Sequence, residues 1–310
     1  MANLVSVVVA VYNGEKFLEP QIRSLQAQDH KDLEIILMDD KSTDSSLKII
    51  EGLAAEDQRI QVHSNSGKLG FAANFLKGLL LSRGGLICFC DQDDVWQPDK
   101  VSILKKLIES DGRNMLAYSD LEVCDESLHT TQASFWKAAG IKPRAGDLKE
   151  KTLLRNLTPG CSMMFRGQVR DLLRQSPSNL PFLHDHLVFV LSSSLGRVDY
   201  SKKRLVKYRQ HDRNNIGAFY PAVMDKNRFI QDILLKMEAL QKMGVGGSSM
   251  DLEKIKNFFQ AWKEGGLRLR SAYLDYYLFL RNDRWRDQWL GAIECLTPGV
   301  YHWLKHRLRP

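Results

Sequence analysis

From Leu4 to Ile108 the sequence alternates short apolar runs with segments whose apolar residues recur at helical spacing, and that rhythm admits few folds. Leu4 to Val11 is apolar and mostly β-branched except for Ser6, then breaks at Asn13-Gly14, as a strand covered on both faces of a parallel sheet should. Phe17, Leu18, Ile22 and Leu25 follow on one helical face. A second buried strand, Leu33 to Met38, ends in Asp39-Asp40. Ser42-Thr43-Asp44 then offers caps for a helix with Leu47, Ile50 and Ala54 inward. The rhythm continues with a strand at Ile60 to His63, a helix near Phe71 to Ser82 and a strand at Leu86 to Cys90. The next helix is opened by Pro98, with Val101, Leu104 and Ile108 inward. Four such units imply an α/β, doubly wound open sheet.

Beyond Asp120 the alternation lapses. A mixed region follows, with Leu157 to Phe165, a helix near His186 to Leu195, and strands near Arg197 to Tyr200 and Leu205 to Arg209. From about Tyr220 the pattern is helical, interrupted by the Gly244 to Ser249 hinge, and it ends in the aromatic, basic stretch Trp285 to Arg309. The expected division is a catalytic domain over 1–220, with halves 1–120 and 121–220, and a helical region over 221–310.

Composition narrows the setting. With 310 residues, 44% of them hydrophobic, the chain can bury one large core with a helical appendage. A net charge of +7 favours anionic partners without choosing among nucleotide phosphates, nucleic acid and an acidic membrane. The five cysteines are odd in number and none is spaced CxxC, which points to reduced thiols and a cytoplasmic setting. No apolar run reaches the roughly 18 residues of a membrane span, and Met1 leads straight into a strand with no leader pattern, so the expected protein is neither secreted nor integral.

In open α/β sheets ligands gather beyond the carboxyl ends of the strands. Those ends are Tyr12-Asn13, Asp39-Asp40, Asn65 and Asp91-Gln92-Asp93-Asp94. Three crowded carboxylates in the last of these repel one another unless a cation is held there, and oxygen ligands suit Mg2+ or Mn2+. The alternative is that Asp94 or Asp99 caps the next helix. Asp39-Asp40 likewise reads as a capping pair, as the paired acids of a phosphoacceptor domain, or as a carboxylate that accepts the imide N–H of a uracil or thymine base. Tyr12 could stack on that base or be a half-buried aromatic.

The segments Val5 to Asn13, Met38 to Asp44, Leu69 to Asn74 and Asp91 to Trp96, in that order, resemble family 2 glycosyltransferases of the GT-A fold. The resemblance implies a mostly parallel sheet with helices on both faces, and an inverting transfer of a sugar from a nucleotide diphosphate to a hydroxyl. Tyr12 and Asp40 would bind the base, with Ala10, Asn13, Lys68, Asn74 and Gln92 also lining the donor site. Asp91 would hold the ribose or a metal-bound water, and Asp93 the metal. Many relatives carry Pro where this chain has Ala10 or Val11. Asp185, within His184-Asp185-His186 just before a helix, falls where the family places its catalytic base, with His184 replacing the more common acid. Without the family, that trio reads as a helix cap or surface cluster. A zinc site is disfavoured because two histidines two apart lack helical i, i+4 spacing. Pro159-Gly160-Cys161-Ser162 resembles the acceptor-side turn, and is otherwise a plain Pro-Gly turn.

Tyr208-Arg209-Gln210-His211, followed by Asn214-Asn215 and Gly217, is similar to rhamnosyltransferase-like members. There His211 would reach the metal held by Asp93 and Asp91, or the diphosphate, with Arg209 or Arg213 nearby to neutralise charge; without that group His211 reads equally as a loop histidine. That likeness implies dTDP-L-rhamnose as donor and a glycan acceptor, lipid-linked, in bacterial cell-surface polysaccharide such as O-antigen or capsule. Trp285, Trp289, Tyr301 and Trp303, interleaved with arginines and lysines, suit a helix on an anionic membrane, here the cytoplasmic face of the inner membrane, or else pack on the catalytic domain. A nucleotidyltransferase would usually carry a glycine-rich phosphate loop, and GxxxxGK[ST] is absent. A nucleic-acid binder is disfavoured because no known motif is present. A non-catalytic nucleotide or glycan module is disfavoured by Asp40, Asp91, Asp93 and Asp185 occurring together.

Overall fold

The computed structural model describes residues 3–148, 152–153, 156, 158–176, 180–212, 226–245, 256–257 and 259–260. The chain divides into two compact units, Met1–Pro221 and Ala222–Pro310. In the second, helix Lys226–Lys242 buries Ile230, Ile233, Met237 and Leu240, a one-sided helical spacing. The expected features at Arg213, Asn214, Asn215, Gly217, residues 246–249 and the Trp285 to Arg309 stretch lie outside the described residues.

The first unit opens with β1 (Val5–Val11), α1 (Leu18–Gln26), β2 (Leu33–Asp39), α2 (Ser46–Glu56), β3 (Ile60–Ser64) and α3 (Phe71–Leu81). It continues with β4 (Leu86–Asp91), the two-residue β5 (Val95–Trp96), α4 (Lys100–Glu109), β6 (Asn114–Cys124), β7 (Thr130–Gln132) and α5 (Phe135–Ala138). After a 3-10 turn at Gly160–Ser162 come β8 (Met163–Arg166), α6 (Gln168–Leu173), α7 (His184–Leu195) and β9 (Arg197–Arg209). The helix of the second unit is therefore α8.

One sheet runs through the unit in the order β3-β2-β1-β4-β8-β6-β9-β5, with β7 added on β6. Its first half is parallel, and β8 enters antiparallel between β4 and β6. β6 and β9 are parallel again, and β5 closes on β9 antiparallel. This is the expected doubly wound α/β architecture with a mixed second half. The apolar β1 is central: Val5, Val7, Val8, Val9 and Val11 are fully buried. Helix α3 lies so close to it that a Cβ on Gly78 would stand 2.4 Å from Val8 Cγ1.

Several expected elements differ in detail. The buried face of α2 is Ser46, Ile50 and Leu53, while Leu47 and Ala54 are only half-buried. Helix α4 starts at Lys100, two residues after Pro98. His184 to His186 form the first turn of α7 and do not precede it. The two strands expected near Arg197 and Leu205 are one, because exposed Lys202, Lys203 and Arg204 interrupt the apolar pattern and not the backbone ladder. β6, an eleven-residue buried strand, carries Asn114, Ser119 and Asp120 inside, which hid it from an apolar reading.

Ser6, the polar break in β1, has a partner: its hydroxyl donates to Glu34 Oε1 at 2.5 Å and accepts from the Gly84 N–H at 2.8 Å. Arg83 pairs with the same buried glutamate at 2.7 Å. Burial alone would push the Glu34 carboxyl up, but the hydrogen bonds from Ser6 and Arg83 outweigh it and hold the group below its ordinary value. A carboxylate depressed by folding contributes stability that is present above its unfolded value and is lost as pH falls through the folded one. Glu34→Gln is therefore expected to cost about 1–3 kcal/mol at neutral pH. In urea denaturation the gap from the parent should narrow as the medium is acidified below the ordinary carboxylate range.

Candidate active site

The parallel register brings three strand ends into one row, because Ala10 pairs with both Met38 and Asp91, and Val11 pairs with Asp39. Tyr12, Asp40 and the acidic loop therefore share one mouth of the sheet. The loop after β1 is tied to the loop before α2. Asn13 N–H donates to Ser42 Oγ at 3.1 Å, Asn13 Oδ1 accepts from Thr43 N–H at 2.8 Å, and Gly14 N–H donates to Ser46 Oγ at 2.8 Å. Ser42 and Thr43, expected as helix caps, are cross-links between loops. Asp44 does accept the Ser46 N–H at 3.0 Å at the helix start, although Ser45 holds the cap position. The strand-end carboxylate Asp39 closes its own turn by accepting from the N–H groups of Lys41 and Ser42, each at 3.2 Å.

Asp40 is buried and clamps a different segment. Oδ1 accepts from Asn65 Nδ2 at 2.9 Å and Leu69 N–H at 2.7 Å, and Oδ2 accepts from Gly70 N–H at 2.8 Å. Gly70 has φ +86°, a conformation natural to glycine, and it delivers the chain into α3. Asn74, fully inside, bonds to Met38 O at 2.6 Å and to Asn65 at 2.8 Å, so it braces this clamp from behind. Lys68, on the clamped segment, lies over the exposed Tyr12 ring at 3.7 Å from its centroid. Gln92 grips the Tyr12 backbone twice, accepting from N–H at 2.9 Å and donating to O at 3.0 Å. The expected donor-binding residues thus meet in one place, Asn74 as a brace and Ala10 within the strand.

The acidic loop is held from the far edge of the sheet. β5 pairs antiparallel with β9, Val95 opposite Lys207, and continuing that register sets Arg209 opposite Asp93. Arg209 N–H donates to Asp94 Oδ1 at 3.0 Å, its Nε donates to the Asp93 carbonyl at 2.6 Å, and its Nη1 donates to the Glu126 carbonyl. Only 4% exposed, this arginine clasps the loop backbone. Phe17 lies beneath, 4.6 Å from the guanidinium and 4.8 Å from the His211 ring. His211 Nε2 is 2.8 Å from Asp93 Oδ2. Of the two acids suggested as helix caps, Asp94 binds Arg209 instead, and Asp99 does hold the N-cap position of α4 but makes no side-chain cap bond and pairs with Lys203 at 3.3 Å.

Facing this loop is the turn at Gly160–Ser162. Oxygens of Asp91 and Asp94 and the Cys161 sulfur all lie within 4.8 Å of one another. Burial, then the charge of Asp93, pushes Asp91 up to about 7, with Asp185 adding to the rise. A Cβ on Gly160 would stand 3.2 Å from Asp185 Cβ and 3.2 Å from His184 Nε2, so the turn links the acidic loop to the start of α7. Asp185 is half-buried; Oδ2 accepts from Asn156 at 2.8 Å and Oδ1 accepts its neighbour His186 N–H at 2.7 Å. His184 stacks on Phe75 at 4.1 Å, and burial pushes it below its ordinary value, so it is a neutral ring beside Asp185. His186 is turned to the Thr152 carbonyl at 2.7 Å. The two histidines have different neighbours, which removes the zinc reading. Lys100 and Phe17 lie at the site without having been singled out for it in the sequence, and Cys161 was read there only as part of a turn and not as a neighbour of Asp91 and Asp94. The Pro-Gly turn was the signal for the last.

The sequence profile of Glycosyl transferase family 2 matches residues 6–173. The chain belongs to this family. An uncharacterized glycosyltransferase of Haemophilus influenzae is 30% identical over 220 residues, 70% of this chain and 68% of its own length. The dTDP-rhamnosyl transferase RfbG of Shigella flexneri is 28% identical over 231 residues, 68% of this chain and 74% of its own. Among solved structures, S. aureus TarS 1-349 in complex with UDP superposes with a TM-score of 0.58 at 18% identity, covering 94% of this chain and 79% of that one. The mannosyltransferase PcManGT of Pyrobaculum calidifontis, in complex with GDP-Man and Mn2+, gives 0.52 at 15% identity, covering 96% and 81%. These establish the GT-A glycosyltransferase fold. No helix among the described residues is long and apolar enough to cross a membrane.

In this family 2 glycosyltransferase the Arg209 clasp spans 116 residues of sequence to reach the Asp93 carbonyl. A lysine has one nitrogen and cannot serve the carbonyls of Asp93 and Glu126 with the same fork. Arg209→Lys is expected to destabilise the unit by about 1–3 kcal/mol, read as a lower urea midpoint. An unchanged midpoint would show that the clasp contributes nothing to the fold.

Proposed function

We propose that this glycosyltransferase is a divalent-cation-assisted, inverting enzyme that transfers L-rhamnose from dTDP-L-rhamnose to a hydroxyl of a lipid-linked glycan in bacterial surface-polysaccharide synthesis. One observation carries the reading: an acidic loop at the sheet's carboxyl edge faces Asp185 across the Gly160-Cys161 turn. The sugar assignment is supported by the likeness to a dTDP-rhamnosyl transferase and by the Tyr208 to His211 segment. Another UDP- or dTDP-sugar is the second reading, favoured by the UDP-bound neighbour. The proposed organisation keeps the donor on 1–120 and the acceptor on 121–220, with 221–310 at the membrane surface.

The proposed ligands suit a hard cation: Asp93, with His211 at 2.8 Å, and Asp91, which feels the charge of Asp93, offer oxygen and imidazole ligands, while the side of Asp91 toward Asp94 and Cys161 is a tighter cluster. Bound Mg2+ or Mn2+ would screen the diphosphate and stabilise the charge it gains as the glycosidic bond breaks. The residues supply the rest. Tyr12, with Lys68 over it, offers the base a stacking surface, and Asp40, with Oδ2 accepting one N–H, can receive an imide N–H. Asp185 takes the proton of the acceptor hydroxyl as its oxygen attacks the anomeric carbon. The bond to the diphosphate breaks on the opposite face, its electron pair leaves with the nucleotide, and no covalent sugar-enzyme intermediate forms.

Asp185→Asn is expected to lower turnover by about 10² to 10⁴ while leaving donor affinity near the parent's. Near-native turnover in that variant would remove Asp185 as the base. Asp91, standing at about 7, carries part of a proton near neutrality. As a ligand Asp91 would have to give up that proton, so affinity for UDP with Mn2+ should rise with pH through 7, with proton release visible by calorimetry in buffers of different ionisation enthalpy. Binding without proton release would take Asp91 out of the ligand set. Product mass spectrometry with a panel of nucleotide sugars and a synthetic lipid-linked acceptor decides the donor.

A further inference from the structure

Asp185 is held from the turn that faces it as well as from its own helix. Its Oδ1 accepts the His186 N–H at 2.7 Å, within the first turn of α7, and its Oδ2 accepts from Asn156 Nδ2 at 2.8 Å, 29 residues earlier in the chain. Among the described residues no other side chain hydrogen-bonds this carboxylate. The histidines on either side are engaged elsewhere, His184 stacked on Phe75 and His186 turned to the Thr152 carbonyl. Chemistry fixes which end of the amide meets the acid: an ionised carboxylate only accepts, so the NH2 group faces it, and Asn156 Oδ1 is left toward the Thr158 N–H at 3.5 Å.

Asn156 is tied in turn to the Gly160–Ser162 turn. Ser162 Oγ donates to the Pro159 carbonyl at 2.8 Å, so it receives the hydroxyl of Thr158, and both residues are buried. The same turn brings Gly160 against the acid, where a Cβ would stand 3.2 Å from Asp185 Cβ and force a displacement. Asp185 is therefore met twice from this side, by a hydrogen bond at its carboxylate and by close approach at its Cβ. With one N–H on each oxygen, rotation of the carboxylate about its Cβ–Cγ bond is fixed. Each oxygen keeps a lone pair for a further donor.

We propose that Asn156 is a positioning residue: with Gly160 leaving room for the acid's Cβ, its amide turns the Asp185 carboxylate to receive the proton of the acceptor hydroxyl. The effect on turnover rests on the proposed function of Asp185; the pairing of the two side chains does not.

The test uses the full chain with Asn156→Ala, Asn156→Asp, Asp185→Asn, and the exchange that combines Asn156→Asp with Asp185→Asn. Turnover is measured with whichever nucleotide sugar of the panel the parent consumes, UDP affinity with Mn2+ by calorimetry, and unfolding thermally without ligand. Asn156→Ala should lower turnover about ten- to a hundredfold, the range for a reacting group misplaced by up to an ångström, and leave UDP affinity near the parent's. Asn156→Asp sets two carboxylates against each other and should lower the unfolding temperature. The exchange again sets an amide against a carboxylate, so it should recover most of that temperature, while turnover stays low because the acid stands on the wrong residue. Parental turnover in Asn156→Ala, a UDP affinity that falls as far as turnover, or an exchange no more stable than Asn156→Asp would overturn the assignment. Should Asn156→Asp not fold, a folded exchange supports the pairing and an unfolded one overturns it. A parent that consumes no nucleotide sugar, or near-parental turnover in Asp185→Asn, would remove the functional reading alone, and the ligand-free unfolding comparison would still decide whether Asn156 holds Asp185.

Discussion

Carboxylates gathered at the end of one strand repel each other, and the geometry of this site follows from how that repulsion is contained. Asp94 is buried under the loop and accepts the Arg209 N–H, while Asp93 is half-buried beside His211. Asp91 stays at the strand terminus, where burial and the charge of Asp93 push it up to about 7. Three neighbouring acids of one type have thus become three different groups by environment: a buried anchor, a partner for His211, and a carboxyl poised near neutrality. A single residue from β9, Arg209, ties the loop to Glu126 and Phe17, so the mouth of the sheet depends on a strand that enters it more than a hundred residues later.

The donor side is built on the same economy of clamps. Asp40 gathers the Leu69 and Gly70 N–H groups, Gln92 grips Tyr12, and Ser42, Thr43 and Ser46 lock the loop after β1. Conserving the backbone path of these loops matters as much as the groups they present, because each clamp spans a distance in sequence that local structure cannot. At the start of α7, His184 is a stacked ring that burial holds below its ordinary value, so the charge near Asp185 comes from the acidic loop and not from an adjacent imidazolium.

The first four strands were legible because each is an apolar run with both faces covered, and the end of each run marked where the polar residues of the site would converge. Asp40, Tyr12, Gln92 and the acidic loop were found by that route. β6 was not, since its buried Asp120 is satisfied by Ser134 at 2.5 Å and the Trp136 N–H at 3.1 Å, partners that a reading of local polarity does not supply. The same limit applies to Lys100: a lysine on an amphipathic helix reads as solvated, and only its burial against the Trp96 ring shows otherwise. Arg209 stood out in the sequence only through the Tyr208 to His211 segment, and its hold on the Asp93 carbonyl depends on the β5–β9 register, which no local pattern encodes.

The central claim is that the loop ending β4 holds a divalent cation against a nucleotide's diphosphate, and a manganese anomalous-difference map from crystals soaked with UDP and Mn2+ tests it most directly. The account predicts a peak bonded to Asp93, with the diphosphate on its other side and the base against Tyr12. A map showing UDP in the mouth of the sheet with no manganese at Asp93, Asp91 or His211 would contradict it.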